Sequence, residues 1–266
     1  MAFSLDKFVQ WKFADGKKLD IKEVGASGFR HPWELSRAEI SLGIVSKYLP
    51  DSATFLDIGA GDIYFAKLLS NKTSGKIYAV DTEFVDKKTG DGNIILSSNA
   101  DNIEEESVDC VIMMDVLEHI DDTHTFIETA LSKLKKGGVL FITVPAHQYL
   151  YSGHDIFLKH LRRYNKGSLL GELKPFSAQV EIKEIYYFYL SLFVLRFLGV
   201  MLRKMFGSGK DMSEGVGNWK FGERNPITMM IRLFLNADFR IGRILSHAGI
   251  NLPGLSLCMV CRKKSV

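Results

Sequence analysis

The sequence predicts an α/β protein built on a mainly parallel sheet, and two patterns lead to this fold class. Short apolar or β-branched runs bounded by Gly, Asp or Asn are typical of buried strands. Longer stretches with apolar residues at helical spacing lie between them. Strands and helices in alternation build right-handed crossover units, whose ligand crevice lies at the carboxyl ends of the strands. We therefore expect the chemistry in the loops that follow the strands.

Seven runs have the length and composition of strands. The first five lie at 53–58, 76–80, 93–96, 108–114 and 138–144. A sixth run, 179–188, alternates apolar and polar residues. A seventh, 255–261, follows the turn residues Pro253 and Gly254.

Helical spacing predicts helices that cover this sheet. Residues 36–49 place Ile40, Ile44 and Val45 on one stripe, and a less regular arm precedes them. A helix is expected over 116–135, because its apolar residues recur at helical spacing and Lys-Lys-Gly-Gly follows as a stop signal. Residues 168–173 predict a further short helix.

The most hydrophobic stretch, 185–206, approaches the length of a membrane span, but Arg196 interrupts it. The next predicted helix, 226–245, has a polar face formed by Arg232, Asn236, Arg240 and Arg243. Such a basic face suits lipid headgroups and not hydrocarbon. The two segments predict an amphipathic hairpin that rests on a membrane or caps an apolar substrate pocket. A buried lid or a dimer interface is the alternative.

Composition and charge narrow the classes of function. The 266 residues carry 34 Lys and Arg against 31 Asp and Glu, and a net charge of +3 is too small to predict a nucleic-acid partner. Hydrophobic residues make up 46% of the chain, which is too many for a disordered protein. Three cysteines and a start without a signal-like apolar run predict a cytoplasmic protein, with peripheral contact to the inner membrane face as an extension.

We expect a single domain over residues 1–266. It comprises an N-terminal helical arm (1–50), a cofactor-binding core (51–187), an apolar and basic helical insertion (188–253) and a last strand (254–266). The run 207–217, rich in Gly, is expected to be a mobile loop. The oligomeric state stays open.

The most informative stretch joins the first strand to the helix after it. The strand ends in Asp57 and turns through Gly59 and Gly61, as a dinucleotide-binding fold would. Asp62 and Ile63 differ from that fold, because a carboxylate repels a pyrophosphate and a β-branched side chain replaces the third glycine. A cationic ligand meets no such repulsion.

A further acid, Asp81, ends the second strand, where a carboxylate can accept both hydroxyls of a ribose. Together with Asp57, Gly59 and Gly61, it makes the chain similar to class I S-adenosylmethionine-dependent methyltransferases, whose first motif is a strand followed by acid-x-Gly-x-Gly. The resemblance implies a Rossmann-like, seven-stranded class I methyltransferase sheet with an antiparallel last strand. It also implies an N-terminal helical arm and a helical insertion before that strand.

The same resemblance implies S-adenosylmethionine as cofactor, with S-adenosylhomocysteine as product. In the family an acidic or amide residue followed by a small one holds the adenine, and Asn99 and Ala100 match that position. The implied cofactor-binding residues are Asp57, Gly59, Gly61, Asp62, Asp81, Thr82, Asn99, Ala100 and Asp115.

Asp115, Glu118 and His119 follow the fourth strand, and on a helix their spacing places them on one face. They resemble the acid-x-x-Glu-His element of ubiquinone-biosynthesis O-methyltransferases, in which a metal is implied. The same string occurs in methyltransferases without a metal, so we predict none here. His119 then orients substrate, acts in catalysis or is structural.

The loop after the fifth strand is rich in His, Arg and Tyr where this fold admits substrate. It resembles a bacterial subgroup of the superfamily through Ser152, His154, Asp155, His160, Arg162, Arg163 and Tyr164. The same subgroup has residues like His31, Trp33 and Arg37 near its amino terminus.

Roles follow from the chemistry of these side chains. His154, paired with Asp155 or another acid, is the first candidate for the base, and His160 is the second. Arg162 and Arg163 suit an anionic group of the substrate. Asp155 and Tyr164 complete the predicted substrate-binding set, although the whole stretch could instead order a lid.

The expected reaction is methyl transfer to an oxygen, less readily a nitrogen, of a small, lipid-linked or glycan-linked acceptor. Two alternatives stay open. One is a non-catalytic binding protein that keeps the fold, and the other is a nicotinamide-dependent oxidoreductase.

Overall fold

The structure is a computed structural model that describes residues 29–84, 92–206 and 219–265. Its seven strands are β1 (Phe55–Ile58), β2 (Ile77–Val80), β3 (Ile94–Ser97), β4 (Val108–Met114), β5 (Leu134–Pro145), β6 (Val180–Phe188) and β7 (Ser256–Lys263). They form one sheet in the order β3-β2-β1-β4-β5-β7-β6. The predicted arm ahead of residue 29 and the predicted loop 207–217 lie outside the described residues.

Strand directions agree with the predicted fold class. β1 is parallel to β2 and β4, and the parallel pairing continues to β3 on one side and β5 on the other. β7 is antiparallel to both of its neighbours, β5 and β6, so that β6 runs parallel to the first five strands. The seven-stranded sheet with an antiparallel last strand is thus confirmed.

In the described part of the chain, seven α-helices accompany the sheet: α1 (Pro32–Val45), α2 (Tyr64–Ser70), α3 (Thr123–Lys133), α4 (Gly153–Phe157), α5 (Lys166–Leu173), α6 (Leu190–Phe206) and α7 (Pro226–His247). Residues from α3 and α5 pack in the core on one face of the sheet, and residues from α1, α2 and α7 pack in the core on the other. α1 starts four residues before its predicted start, because His31 Nδ1 accepts the Trp33 amide at 3.3 Å and Pro32 suits the first turn.

The helix predicted over 116–135 is wrong in its extent. Leu117–His119 form only a 3-10 turn, after Asp115 has taken a left-handed φ of 55°. The helix restarts at Thr123, because the Asp122 carboxylate caps the Thr125 amide at 3.0 Å. It ends before Leu134, which already pairs with Val108 of β4, so Lys-Lys-Gly-Gly belongs to a strand and not to a helix end.

Two of the three arginines on the predicted basic face of α7 pair with acids of the protein itself. Arg232 pairs with Glu39 of α1 at 3.3 Å, and Arg243 pairs with Glu184 of β6 at 3.1 Å. Only Arg240 of the predicted cationic face is exposed. Glu39 and Glu184 therefore pair with two arginines for which the sequence predicted lipid headgroups as partners.

Within the residues that the structure describes, neither α6 nor α7 nor any other helix combines the length and the hydropathy of a bilayer-crossing segment. Arg196 breaks the apolar surface of α6 for a local reason. Its guanidinium donates to the Ser152 hydroxyl at 2.7 Å and to the Asp155 carboxylate at 3.4 Å. The arginine therefore fastens α6 to the loop that follows β5.

Candidate active site

The loop between β1 and α2 has the backbone shape that its glycines allow. Gly59 has a φ of +74°, and its amide donates to the Val80 carbonyl at 2.8 Å. A Cβ atom on Gly59 would lie 2.6 Å from Cγ2 of Val116, so no larger residue fits there without a shift. Gly61 has a φ of +52° and open space beside it. The loop therefore bends tightly against Val116, which follows β4.

Ile63 adopts a left-handed conformation with a φ of 59° at the start of α2. This conformation is costly for a β-branched residue and is normally taken by glycine. Ile63 stands where the family frequently has a third glycine. Its backbone nevertheless adopts the left-handed conformation that a glycine would favour. Such strain concentrates at functional sites.

Two predicted acids face each other across this loop. Asp81 Oδ2 accepts the Gly61 amide at 2.9 Å, and Asp81 Oδ1 accepts the Glu83 amide at 3.0 Å. Asp57 is buried at the end of β1, and burial, followed by the nearby charge of Asp81, raises the pKa of its carboxyl to about 7. The loop is therefore an acidic site, which matches a cationic ligand.

Arginines from the segment leading into α1 and from α1 itself pair with two further predicted acids, Asp62 and Asp115. Arg30 forms an ion pair with Asp62 and lies 3.9 Å from the centre of the Tyr64 ring. Arg37 forms an ion pair with Asp115, whose Oδ1 also accepts the Thr143 hydroxyl at 3.3 Å. Sequence analysis matched Arg37 only to a subgroup pattern and did not identify Arg30, because neither partner acid is near it in the chain.

The predicted adenine residues lie after β3. Asn99 caps the Asp101 amide through its Oδ1 at 3.0 Å, and its own carbonyl accepts the Ser97 hydroxyl at 2.6 Å. Ala100 is buried, and Thr82 is exposed beyond the end of β2. All nine predicted cofactor residues follow a strand or end one at the carboxyl edge of the sheet. Their contact with a cofactor stays a prediction.

The loop after β5 is organised around one buried carboxylate, Asp155. It accepts hydrogen bonds from the Ser152 amide at 2.9 Å and from the Arg163 Nε at 2.7 Å. His160 Nδ1 lies 3.0 Å from its Oδ1, and Arg196 of α6 adds a second guanidinium. Although burial alone would raise it, His160 and Arg163 hold the pKa of Asp155 well below its usual range.

This arrangement corrects the predicted pairing of His154 with Asp155. The carboxylate bonds to His160 instead, while His154 stands half-buried on α4, where burial followed by the charge of Arg196 lowers its pKa. The cause is the short α4 helix, in which Asp155 is the third residue and turns back to cap Ser152. The sequence neighbours His154 and Asp155 consequently do not pair with each other.

Three of the predicted substrate residues are buried, and their contact with substrate stays a prediction. Asp155 and Tyr164 are almost fully buried, and Tyr164 donates to the Leu117 carbonyl at 3.2 Å. Arg163 is buried as well, and it donates to the Ala146 carbonyl at 3.1 Å. These side chains order the loop. Arg162, which is partly exposed and lies 3.9 Å from Asp121, is the predicted substrate residue that stays at the surface.

His160 lies between two acids and a second histidine. Its Nε2 is 4.0 Å from Glu118 Oε1, and its ring meets the ring of His119 edge-on at 4.8 Å. Burial, followed by the charge of His160, lowers the pKa of His119 to about 4, so this imidazole is neutral at pH 7.

Glu118, His119 and His160 could each offer a ligand atom, and these atoms lie within 4.8 Å of one another. Asp115, which the sequence grouped with Glu118 and His119, does not belong to this cluster, because the 3-10 turn and the left-handed Asp115 do not produce the α-helical face.

Comparison with known proteins agrees with the fold. A profile of the family described as "Methyltransferase domain" matches residues 35–179, which span β1 to β5 and the loop after β5. The chain therefore belongs to the methyltransferase-domain family. No curated protein matches the sequence significantly.

Solved structures show that this fold is that of class I S-adenosylmethionine-dependent methyltransferases. A proposed sarcosine dimethylglycine methyltransferase from Galdieria sulphuraria matches with a TM-score of 0.55 and 16% identity, over 98% of each chain. A Haemonchus contortus phosphoethanolamine N-methyltransferase bound to S-adenosyl-L-methionine matches with a TM-score of 0.50 and 17% identity, over 86% of this chain and 53% of that one. The predicted enzyme class is confirmed, and the nicotinamide-dependent alternative is wrong.

A third structure has the same fold and a different name. The cyclase SpnF matches with a TM-score of 0.54 and 17% identity, over 88% of this chain and 83% of that one. Fold likeness alone therefore does not fix the reaction, which has to be argued from the site.

Proposed function

We propose that the protein transfers the methyl group of S-adenosylmethionine to an oxygen atom of a small, lipid-linked or glycan-linked acceptor. The observation that carries this proposal is a histidine–carboxylate pair, His160 and Asp155, in the loop that follows β5, on the same edge of the sheet as the acidic glycine loop. Methyl transfer needs little more, because the sulfonium is already activated and a hydroxyl acceptor must only be aligned and lose its proton.

The residues of the glycine loop fit this cofactor. Asp57 Oδ2 is buried and has no hydrogen-bond partner among the described residues, as expected of a group that meets a ligand donor. Asp81 suits the ribose hydroxyls, and Arg30 and Arg37 bring the positive charge that a methionine carboxylate requires. The bound cofactor would supply an electrophilic methyl group, and these side chains would hold and orient it.

His160 is the proposed base, in place of His154. Asp155 accepts from Nδ1 and so favours the tautomer in which Nε2 accepts a proton. Nε2 is turned toward Glu118 and His119 after β4, beside the loop that carries Asp115. Arg162 is the proposed contact for an anionic group on the acceptor, because its guanidinium keeps access to solvent.

Labelled methyl transfer tests this proposal. Purified protein, a cell extract and S-adenosylmethionine with a deuterated methyl group are incubated together, and water-soluble and lipid fractions are analysed by mass spectrometry. We expect a labelled O-methyl product that is strongly reduced with the Asp81→Ala variant when the cofactor is below its wild-type dissociation constant. A labelled N-methyl product would contradict the oxygen acceptor and keep the transferase.

A second candidate function rests on the likeness to the cyclase. The fold can hold other chemistry, so the protein could bind S-adenosylmethionine without transferring its methyl group. Cofactor binding by calorimetry, together with a complete lack of S-adenosylhomocysteine formation in the labelled extract, would favour this second function.

A further inference from the structure

Helices α6 and α7 pack on each other and carry a broad set of exposed apolar side chains. We call this set the apolar outer face and define it by Leu195, Leu198 and Leu202 on α6 and by Met230, Leu233 and Ile244 on α7. Leu195 and Ile244 are 67% and 68% exposed, which is unusual for aliphatic residues in a water-soluble helix pair. Contiguous exposed apolar surface marks an interaction site.

Several of the polar side chains that the structure describes on these helices are paired within the protein. Arg232 and Arg243 are paired with Glu39 and Glu184, and the Asp238 carboxylate accepts the Ser191 amide at 3.0 Å. Every exposed side chain that the structure describes on α6 is apolar. On α7 the exposed polar side chains are Arg240 and His247, and among the described residues neither helix exposes a carboxylate.

The geometry points to docking of the apolar outer face on the surface of an anionic lipid bilayer. A protein partner would require directional groups, because interfaces carry about one hydrogen bond per 100–200 Å². The outer face offers none, whereas a bilayer interface accepts an apolar surface that is bordered by cations. Arg240 on α7, with Lys220 and Arg224 just before the helix, supplies that border as exposed side chains, and Glu223 is the one exposed acid described in that segment.

This mode of docking differs from the electrostatic hairpin that the sequence suggests. Binding is driven by apolar insertion at the headgroup level, since the paired arginines of α7 cannot reach lipid. Salt should therefore weaken binding only modestly, because screening acts on the border cations and not on the apolar contacts. The inference does not depend on the acceptor proposed above.

Liposome co-sedimentation with the full chain tests the inference. Vesicles of phosphatidylcholine with phosphatidylglycerol should sediment the protein, and raising the salt from low to high should cost less than about threefold in partitioning. Leu195→Glu with Leu198→Glu, and separately Met230→Glu with Leu233→Glu, should each lower partitioning by about tenfold or more. Asn71→Glu with Lys72→Gln, exposed at the end of α2, changes the net charge by the same amount as each of these variants and should bind as the wild type does.

Two results would overturn the inference. One is wild-type protein that stays in the supernatant with these vesicles. The other is a stable dimer in sedimentation velocity that both double-Glu variants dissociate while vesicle binding is unchanged, which would assign the face to a second copy. Circular dichroism melts of each variant confirm that the fold is kept. Cofactor binding measured on the same samples separates failure of the docking from failure of the proposed function.

Discussion

Asp81 is the residue at which the glycine loop and β2 meet, and its carboxylate accepts amides from Gly61 and Glu83. In the proposed complex it also accepts the ribose hydroxyls as charge-assisted bonds. Asp81→Ala should therefore weaken S-adenosylmethionine binding by about 1.5–3 kcal/mol, measured by calorimetry. An unchanged dissociation constant in a variant that melts like the wild type would remove Asp81 from the site.

Asp57 gives the site a dependence on pH. Burial raises the pKa of its carboxyl to about 7, so the acid is largely neutral at pH 6 and largely ionised at pH 8. A cationic ligand favours the ionised form, and S-adenosylmethionine affinity should rise by up to about tenfold between these two pH values. Asp57→Asn should flatten that rise. A wild-type affinity that is constant over this range would show that Asp57 does not sense the ligand's charge.

The two histidine candidates can be separated by turnover. His160→Gln should lower the rate of methyl transfer by about 10²–10⁴-fold with cofactor affinity kept, because the Asp155-bound imidazole is lost. His154→Gln, which leaves that pair intact, should stay within about threefold of the wild type. The opposite pattern, with His154→Gln inactive, would return the base to α4.

Sequence analysis identified the histidines and acids of this loop but not which of them pair. The cofactor acids are predictable because each follows a strand whose end a local pattern defines. The pairing of Asp155 with His160 depends on the one-turn helix α4 and on the left-handed conformation of Lys159. Neither feature can be predicted from the spacing of apolar residues. Arg30 was not predicted for a related reason, because it forms its ion pair with Asp62 only in the folded chain.

At the scale of elements, Asp155 joins α4, the strand-five loop and α6. Asp155→Asn leaves Arg163 and Arg196 without their shared charge, and should destabilise the fold by about 3–5 kcal/mol at neutral pH. The folded pKa of this carboxyl is depressed, so its contribution is complete above the ordinary Asp pKa of about 3.9 and is lost as the pH falls below it.

Denaturant unfolding of both proteins measures this effect. The stability difference between the wild type and Asp155→Asn should be constant from pH 8 to about pH 5 and should shrink below about pH 4. A difference that persists undiminished in acid would mean that the amide damages packing and that the carboxylate charge is not responsible.

The helical insertion shows where sequence patterns mislead at this scale. Periodicity correctly located α6 and α7, and it grouped the arginines of α7 on one face. It could not show which face turns toward the protein, because Glu39 and Glu184 lie in elements distant along the chain. These ion pairs form between elements that are distant in the chain, so the orientation of α7 is visible only in the tertiary structure.

For the whole molecule, the alternation of strand and helix was sufficient to predict the sheet, because each crossover unit is local and has one favoured hand. The acidic glycine loop then favoured a sulfonium cofactor over a dinucleotide, and family membership agrees. Acceptor identity is a different matter, since it depends on surfaces contributed by several separated segments of the chain.

The central claim is that this crevice binds S-adenosylmethionine, and ligand-dependent thermal unfolding tests it most directly. At a concentration of about 100 times the dissociation constant, S-adenosylmethionine or S-adenosylhomocysteine should stabilise the protein by about 2.7 kcal/mol, which corresponds to about 5–10 °C in Tm. NAD at the same concentration should leave the Tm unchanged. A Tm that responds to neither S-adenosyl compound, or that rises with NAD instead, would contradict the account.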